Sequence, residues 1–150
     1  MYEQTINIKK MKYNNKFRLP TKEEFERLAK CWSRFDEKKN GRYFFDDETG
    51  EKLFLPCKGY LINKDMIVSE SMGFYWTSTK SLSHHAYYLC FNSRYLNPVT
   101  SINRYYEQSV RLVSDAPFGD AIHVAGLYWK PENEEGFCTF DEAISKFENK

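Results

Sequence analysis

Long apolar runs are missing from this chain, and so is any surplus of one charge. Its uninterrupted hydrophobic stretches are only a few residues long, far short of the roughly 20 that cross a bilayer, so no membrane span is expected. The opening MYEQTINIKKMKYNN lacks the apolar block of a secretory signal, which makes a cytoplasmic location the expectation for the chain as it stands. Lys and Arg number 22 against 21 Asp and Glu, a formal net charge of +1. No global field would draw the protein onto a polyanion, and nucleic acid is not an expected partner. Cysteine is sparse as well: Cys31, Cys57, Cys90 and Cys138 are irregularly spaced, without a C-x-x-C pair or the His spacing of a zinc site. They read as free thiols in a reducing compartment, with two disulfides of undetermined connectivity as the alternative. No repeat, low-complexity tract or clear linker divides the 150 residues, a length that fits one domain.

What the chain has in plenty is Tyr and Phe, 11 and 12 against 3 Trp. That surplus exceeds what a small core needs and places some rings at the surface, where Tyr serves recognition. The stretch FRLPTKEEFERLAKCWSRF (17–35) reads as the approach to and body of one helix. Thr21 and Glu24 make a capping box, and Phe25, Leu28, Ala29, Trp32 and Phe35 draw one apolar stripe, with Trp32 in the core. Asn40-Gly41 signals a turn, and RYFF (42–45) and KLFLP (52–56) flank DDETGE as a hairpin whose second strand Pro56 ends or places at an edge. The segments 73–79, 86–91, 109–113 and 122–129 read as further short strands. In the second of these segments, Tyr87, Leu89 and Phe91 share one face and Ala86, Tyr88, Cys90 and Asn92 the other, so one face meets solvent unless another element covers it. Thr139 and Glu142 repeat the capping box before a short helix carrying Phe140, Ala143, Ile144 and Phe147.

Taken in order, RLPTKEEF (18–25), LFLPCKGY (53–60), GFYWTST (73–79), AYYLCFNS (86–93) and SVRLV (109–113) resemble the Fibrobacter succinogenes major paralogous domain. The resemblance extends to the broader C-type-lectin-like group, which includes formylglycine-generating enzymes and the variable proteins of diversity-generating retroelements in bacteria and phage. It implies an α+β, C-type-lectin-like fold over residues 17–114, with short antiparallel sheets, an N-terminal amphipathic helix and long surface loops. Residues 1–16 would form an N-terminal strand or extension, and 115–150 a C-terminal strand and short helix packed on the same domain. The architecture hosts glycan binders, protein binders and oxidases, so function must come from the residues themselves.

Calcium-mediated sugar binding needs an oxygen-rich ligand set. Asn97-Pro98-Val99 supplies no carboxylate, and Trp76 is followed by Thr77 and Ser78. The acidic run Asp46, Asp47 and Glu48 could ligate a cation but reads more simply as a solvated turn. Oxidase chemistry of the formylglycine-generating type needs paired reactive cysteines, or in related enzymes a histidine cluster, and neither pattern is present. No nucleophile, base and orienting acid occur together in a recognisable motif. No catalytic residue, metal ligand or cofactor is therefore assigned. Arg18 and Arg111 read as fold-fixing cations paired with carboxylates such as Glu23 or Glu26, and Gly59 and Gly73 as positions with special backbone demands.

Residues 80–109 hold five Tyr, five Ser, three Asn, two Arg and two His, and no Asp, the composition of an adaptable contact surface. Tyr, Ser, His and Arg are also reachable by mutating asparagine codons, as in retroelement-diversified proteins. The expected ligand-binding residues are His84, His85, Tyr88, Asn92, Arg94, Tyr95, Arg104, Tyr105 and Tyr106, and the expected function is non-catalytic recognition of a protein or glycan. The alternatives are a metal-dependent oxidase-like enzyme using His84, His85 or Cys90, and a structural or assembly subunit that self-associates through residues 115–150.

Overall fold

A computed structural model of the chain describes residues 17–64 and 66–148; the expected N-terminal extension over residues 1–16 lies outside them. Both capping boxes form. Ahead of helix α1 (Lys22–Lys30), Thr21 Oγ1 accepts the Glu24 amide at 3.2 Å while Glu24 Oε1 accepts the Thr21 amide at 2.8 Å. Thr139 and Glu142 repeat the exchange at 3.2 and 2.9 Å ahead of helix α2 (Phe140–Phe147). Each box satisfies donors that the first helical turn would otherwise leave orphaned.

The helix expected to run to Phe35 stops at Lys30. Trp32–Asp36 instead forms strand β1, paired antiparallel with β2 (Gly41–Phe45) over the register Trp32↔Phe45 to Asp36↔Gly41. Residues three apart share a helix face but oppose each other in a strand. Phe35 therefore packs against the core while Trp32, expected inside, is 62% exposed. β2 continues into the expected hairpin with β3 (Lys52–Pro56), and Pro56 closes β3 at a sheet edge. The connecting turn is built by Asp46, whose carboxylate accepts the amides of Glu48 at 2.8 Å, Thr49 at 3.1 Å and Ala125 at 2.9 Å.

A small hairpin, β4 (Tyr60–Ile62) with β5 (Met66–Val68), follows. Gly59 enters it with φ +71°, and a Cβ there would lie 2.2 Å from the Val68 carbonyl oxygen, so glycine is required by conformation and by space. Gly73 answers a different demand: the Phe91 ring lies where its Cβ would be, 2.4 Å away.

The central sheet has the order β6-β7-β8, with β6 spanning Gly73–Lys80, β7 His85–Phe91 and β8 Leu96–Asn103, all antiparallel. Both of its faces are covered. Tyr75, Leu89 and Phe91 join a first core cluster with Phe25 and Leu28 of α1, Phe44, Leu53 and Leu55 of the first sheet, and Val124, Leu127 and Trp129. Phe74, Trp76, Ala86, Tyr88 and Cys90 join a second with Phe17, Leu19, Val110, Leu112, Cys138, Phe140 and Ala143. Burial on both sides explains the near-continuous apolar sequence of β6 and β7.

The expected strand at 109–113 is reduced to β9 (Val113–Ser114), and the expected single strand at 122–129 is a hairpin. Its arms β10 (Ile122–Val124) and β11 (Leu127–Trp129) turn at Ala125 and Gly126, whose φ values are +57° and +76°, and the sheet order is β10-β11-β9. Residues 107–109 are held instead by isolated bridges, Leu61↔Glu107, Gln108↔Cys138 and a parallel contact of Tyr75 with Ser109. The chain is a small α+β domain, mostly antiparallel sheet, with two helices among the described residues. No described helix is long and apolar enough to cross a membrane.

Candidate functional site

The nine residues expected to bind ligand do not form one surface. Five lie at the start of β7 and the end of β8, three at the opposite hairpin tip, and Tyr88 lies between them inside the protein. The His85–Phe91 strand separates the two groups by about 20 Å at roughly 3.3 Å per residue.

Tyr88 is corrected from ligand contact to core. It is 9% exposed, stacks on Phe74 at 5.9 Å and meets Trp76 edge to face at 6.5 Å. Burial pushes its hydroxyl up to about 12, with smaller contributions from Cys90, Tyr95 and Tyr60. At the tip, Asn92 is a turn builder: its Oδ1 accepts the Arg94 and Tyr95 amides at 2.8 and 3.0 Å, and its carbonyl accepts Arg42 Nη2 at 2.9 Å. Arg94 and Tyr95 are exposed there.

The other end has more structure. Ser83, His84, Arg104, Tyr105 and Asp141 line a cavity of about 290 Å³. The Arg104 amide donates to the His84 carbonyl at 2.9 Å, and the Arg104 carbonyl accepts the Phe140 amide at 3.1 Å, which ties the β8 end to the start of α2. The Arg104 guanidinium pairs with Asp141, reaches the Ser83 carbonyl at 3.4 Å and lies 5.4 Å over the Phe140 ring. Asn103 Oδ1 accepts the Tyr105 amide at 2.9 Å, a local turn that throws the ring outward, so Tyr105 is 70% exposed. Tyr106 is half-buried and packs edge to face on Tyr60 at 5.1 Å. His84 and His85 are exposed, whereas Cys90 is buried near the far end of β7. The three candidate ligands of the oxidase-like reading are therefore not brought together. Among the described residues no group of three or more His, Cys, Asp or Glu is placed to hold a metal.

Leu82 and Asp141 were not singled out in the sequence. Leu82 is 85% exposed on the loop before β7. An apolar residue isolated among Ser and His in SLSHH is the local signal that marks it. Asp141 carried no such signal, because its position depends on where α2 docks.

The acidic run at 46–48 is a turn. Burial alone would raise the Asp46 carboxyl, but the amides of Thr49, Ala125 and Glu48 hold it below the usual carboxylate range. The two singled-out arginines have other partners than expected. Arg18 grips Glu24, not Glu23 or Glu26, at 2.7 and 2.8 Å and reaches Asp115 at 2.9 Å. Arg111 is 1% exposed and pairs with no described carboxylate; it donates to Asn133 Oδ1 at 2.9 Å and to the Lys130 carbonyl at 3.1 Å. It borders a cavity of about 590 Å³ whose rim carries Glu132, Glu134 and Glu135. The acidic rim and the neutral acceptors give Arg111 a fold-fixing role there, fastening the 130–133 loop to the core.

All four cysteines are free thiols, as the spacing suggested, and all but Cys31 are buried. No protein-family model matches the chain, and no match was found among curated proteins or solved structures.

Proposed function

We propose that the chain is a non-catalytic recognition module of C-type-lectin-like architecture that binds a protein through the end of the β6–β7–β8 sheet. The observation that carries this is the pair of uncovered anchors, Leu82 at 85% and Tyr105 at 70% exposure: Tyr105 lines the His84 and Arg104 cavity and Leu82 immediately precedes its lining residue Ser83. Both project from backbone that is fixed elsewhere: Ser81 and His85 close the loop around Leu82 through bonds of 2.9 Å, and Arg104 is held from three sides. Rigid support of exposed anchors lowers the ordering cost of association. An aliphatic anchor beside a Tyr and an Arg favours a protein over a glycan, because aliphatic side chains pack into apolar pockets that sugars lack. The short antiparallel sheets and the α1 helix packed on them support the architectural part of the reading.

The purified chain is to be probed on a protein microarray and, in parallel, on a glycan microarray. The expected result is a specific protein signal that Leu82→Ser combined with Tyr105→Ala weakens by roughly tenfold or more, with the melting temperature shifted by no more than a few degrees. Binding confined to glycans, binding indifferent to these substitutions, or loss of folding in the double variant would each overturn the proposal.

A further inference from the structure

The outer face of the β1–β2–β3 sheet is built unlike an ordinary solvated face. The antiparallel registers place Trp32 and Arg34 of β1, Tyr43 and Phe45 of β2, and Lys52 and Phe54 of β3 on one side. Trp32 rests on Phe45 at 4.8 Å, Phe45 lies 6.1 Å from Tyr43, and Tyr43 lies 4.8 Å from Phe54, so the rings form one connected row across three strands. Three cations gather over the middle of it. Lys52, Lys39 and Arg34 stand 4.8, 5.4 and 5.7 Å from the Tyr43 centroid, and Lys39 also donates to Tyr43 Oη at 2.7 Å.

None of these three cations forms an ion pair with a described residue. Asp36 shares this face by register and its charge acts on Lys39, but it pairs with none of the three cations. They outnumber it around Tyr43 and leave a local potential that favours an incoming carboxylate. The acidic turn Asp46–Glu48 lies beyond Trp32 and Phe45, bordering the cavity on that flank. A ligand carboxylate is thereby directed to the Arg34 side and its apolar part to Trp32.

Strand β1 adds the second feature. Among the described residues it is terminal in its sheet, so alternate residues turn their N–H and C=O groups away from β2. A strand added there would set its same-face side chains opposite Trp32 and Arg34, in step with their two-residue spacing. A second copy of the chain fits poorly: antiparallel pairing centred on β1 would oppose Arg34 to Arg34.

We infer that this edge and face are a second docking surface, which takes an extended protein segment bearing a carboxylate two residues from an apolar side chain. The segment extends the sheet through backbone hydrogen bonds, stacks its apolar side chain against Trp32 and seats its carboxylate by Arg34 under the potential of Lys39 and Lys52. The surface is separate from the Leu82 and Tyr105 anchors and does not depend on them.

The test uses the full chain and a capped peptide built on Glu-Thr-Val, with a control in which Lys replaces Glu. Of the three tryptophans only Trp32 is exposed, Trp76 and Trp129 being fully buried, so protection from acrylamide quenching reports occupancy of this face. Amide NMR shifts in residues 32–36 report strand addition. The Glu peptide is expected to protect Trp32 and shift the β1 amides, and the Lys control to bind roughly tenfold more weakly. Arg34→Glu should reverse that preference, while Tyr105→Ala should leave it unchanged. Four results would overturn the inference: shifts confined to residues outside β1, equal binding of both peptides, equal binding of polygalacturonate, or a preference that survives Arg34→Glu in a folded protein.

Discussion

At the scale of single residues, the charged groups that matter most are those that close the ends of helices. Glu24 loses solvation on burial, but the Arg18 fork and the Thr21 amide more than offset this and hold its carboxyl below its ordinary value of 4.5. Glu142 is lowered too, chiefly by the Thr139 amide and then by Lys64. A carboxylate depressed in the folded state contributes stability that is complete above its unfolded value and disappears as pH falls through the folded one. The melting temperature should therefore fall as the medium is acidified below about 4.5, and Glu24→Gln should flatten that limb of a melting-temperature profile. Thiol chemistry gives a second check. Burial pushes Cys57 up to about 12 and Cys90 up to about 11, and raises Cys138 as well. Only Cys31 is partly exposed, and burial together with Asp46 and Asp47 raises it too. In the native protein at pH near 8 a disulfide reagent should modify Cys31 alone and slowly, with the others reacting only in denaturant; early labelling of Cys57 or Cys90 would contradict the packing. The free state of these thiols was legible from spacing alone. The partner of Arg18 was not, because the capping box already accounts for Glu24 in the sequence, whereas its Oε1 takes both the Thr21 amide and Arg18 Nη1 and its Oε2 takes Arg18 Nη2.

At the scale of elements, helix beginnings were legible and the end of α1 was not. Capping boxes are local chemistry, so Thr21 and Thr139 marked both starts correctly, and Thr21→Ala or Thr139→Ala should each cost about 1 kcal/mol in urea denaturation. The stop at Lys30 is tertiary. Trp32 and Phe35 suit a helical stripe, but pairing of Trp32–Asp36 with β2 outweighs that local preference. The hairpin of β2 and β3 was readable from its turn chemistry, whereas Ala125-Gly126 inside IHVAGLYW concealed a turn, since Ala at positive φ has no sequence signal. Gly59→Ala should destabilise by roughly 1 kcal/mol or more, through both its positive φ and the approach of the Val68 oxygen; an unchanged urea midpoint would refute that account. The candidate site was half legible. Tyr105 and His84 were found by composition, Tyr88 was misplaced because strand alternation does not reveal that both faces of β7 are covered, and Leu82 and Asp141 required the fold.

At the scale of the whole molecule, the segment after Ser114 is part of the core. Val124, Leu127 and Trp129 fill the first cluster, and Cys138, Phe140 and Ala143 the second. Of the apolar side chains on which self-association through residues 115–150 would rely, these are buried within the chain, while Ile122, Ile144 and Phe147 are half-buried. Truncation after Ser114 should abolish the near-ultraviolet circular dichroism of the folded protein, and a truncated chain that keeps it would show these contacts to be dispensable. The central strand β7 contributes Leu89 and Phe91 to one cluster and Ala86, Tyr88 and Cys90 to the other. A slip of this strand by a single position would send each side chain into the wrong compartment, misfilling two interiors in one error. Correct alignment of the hairpin is in this way proofread twice during folding.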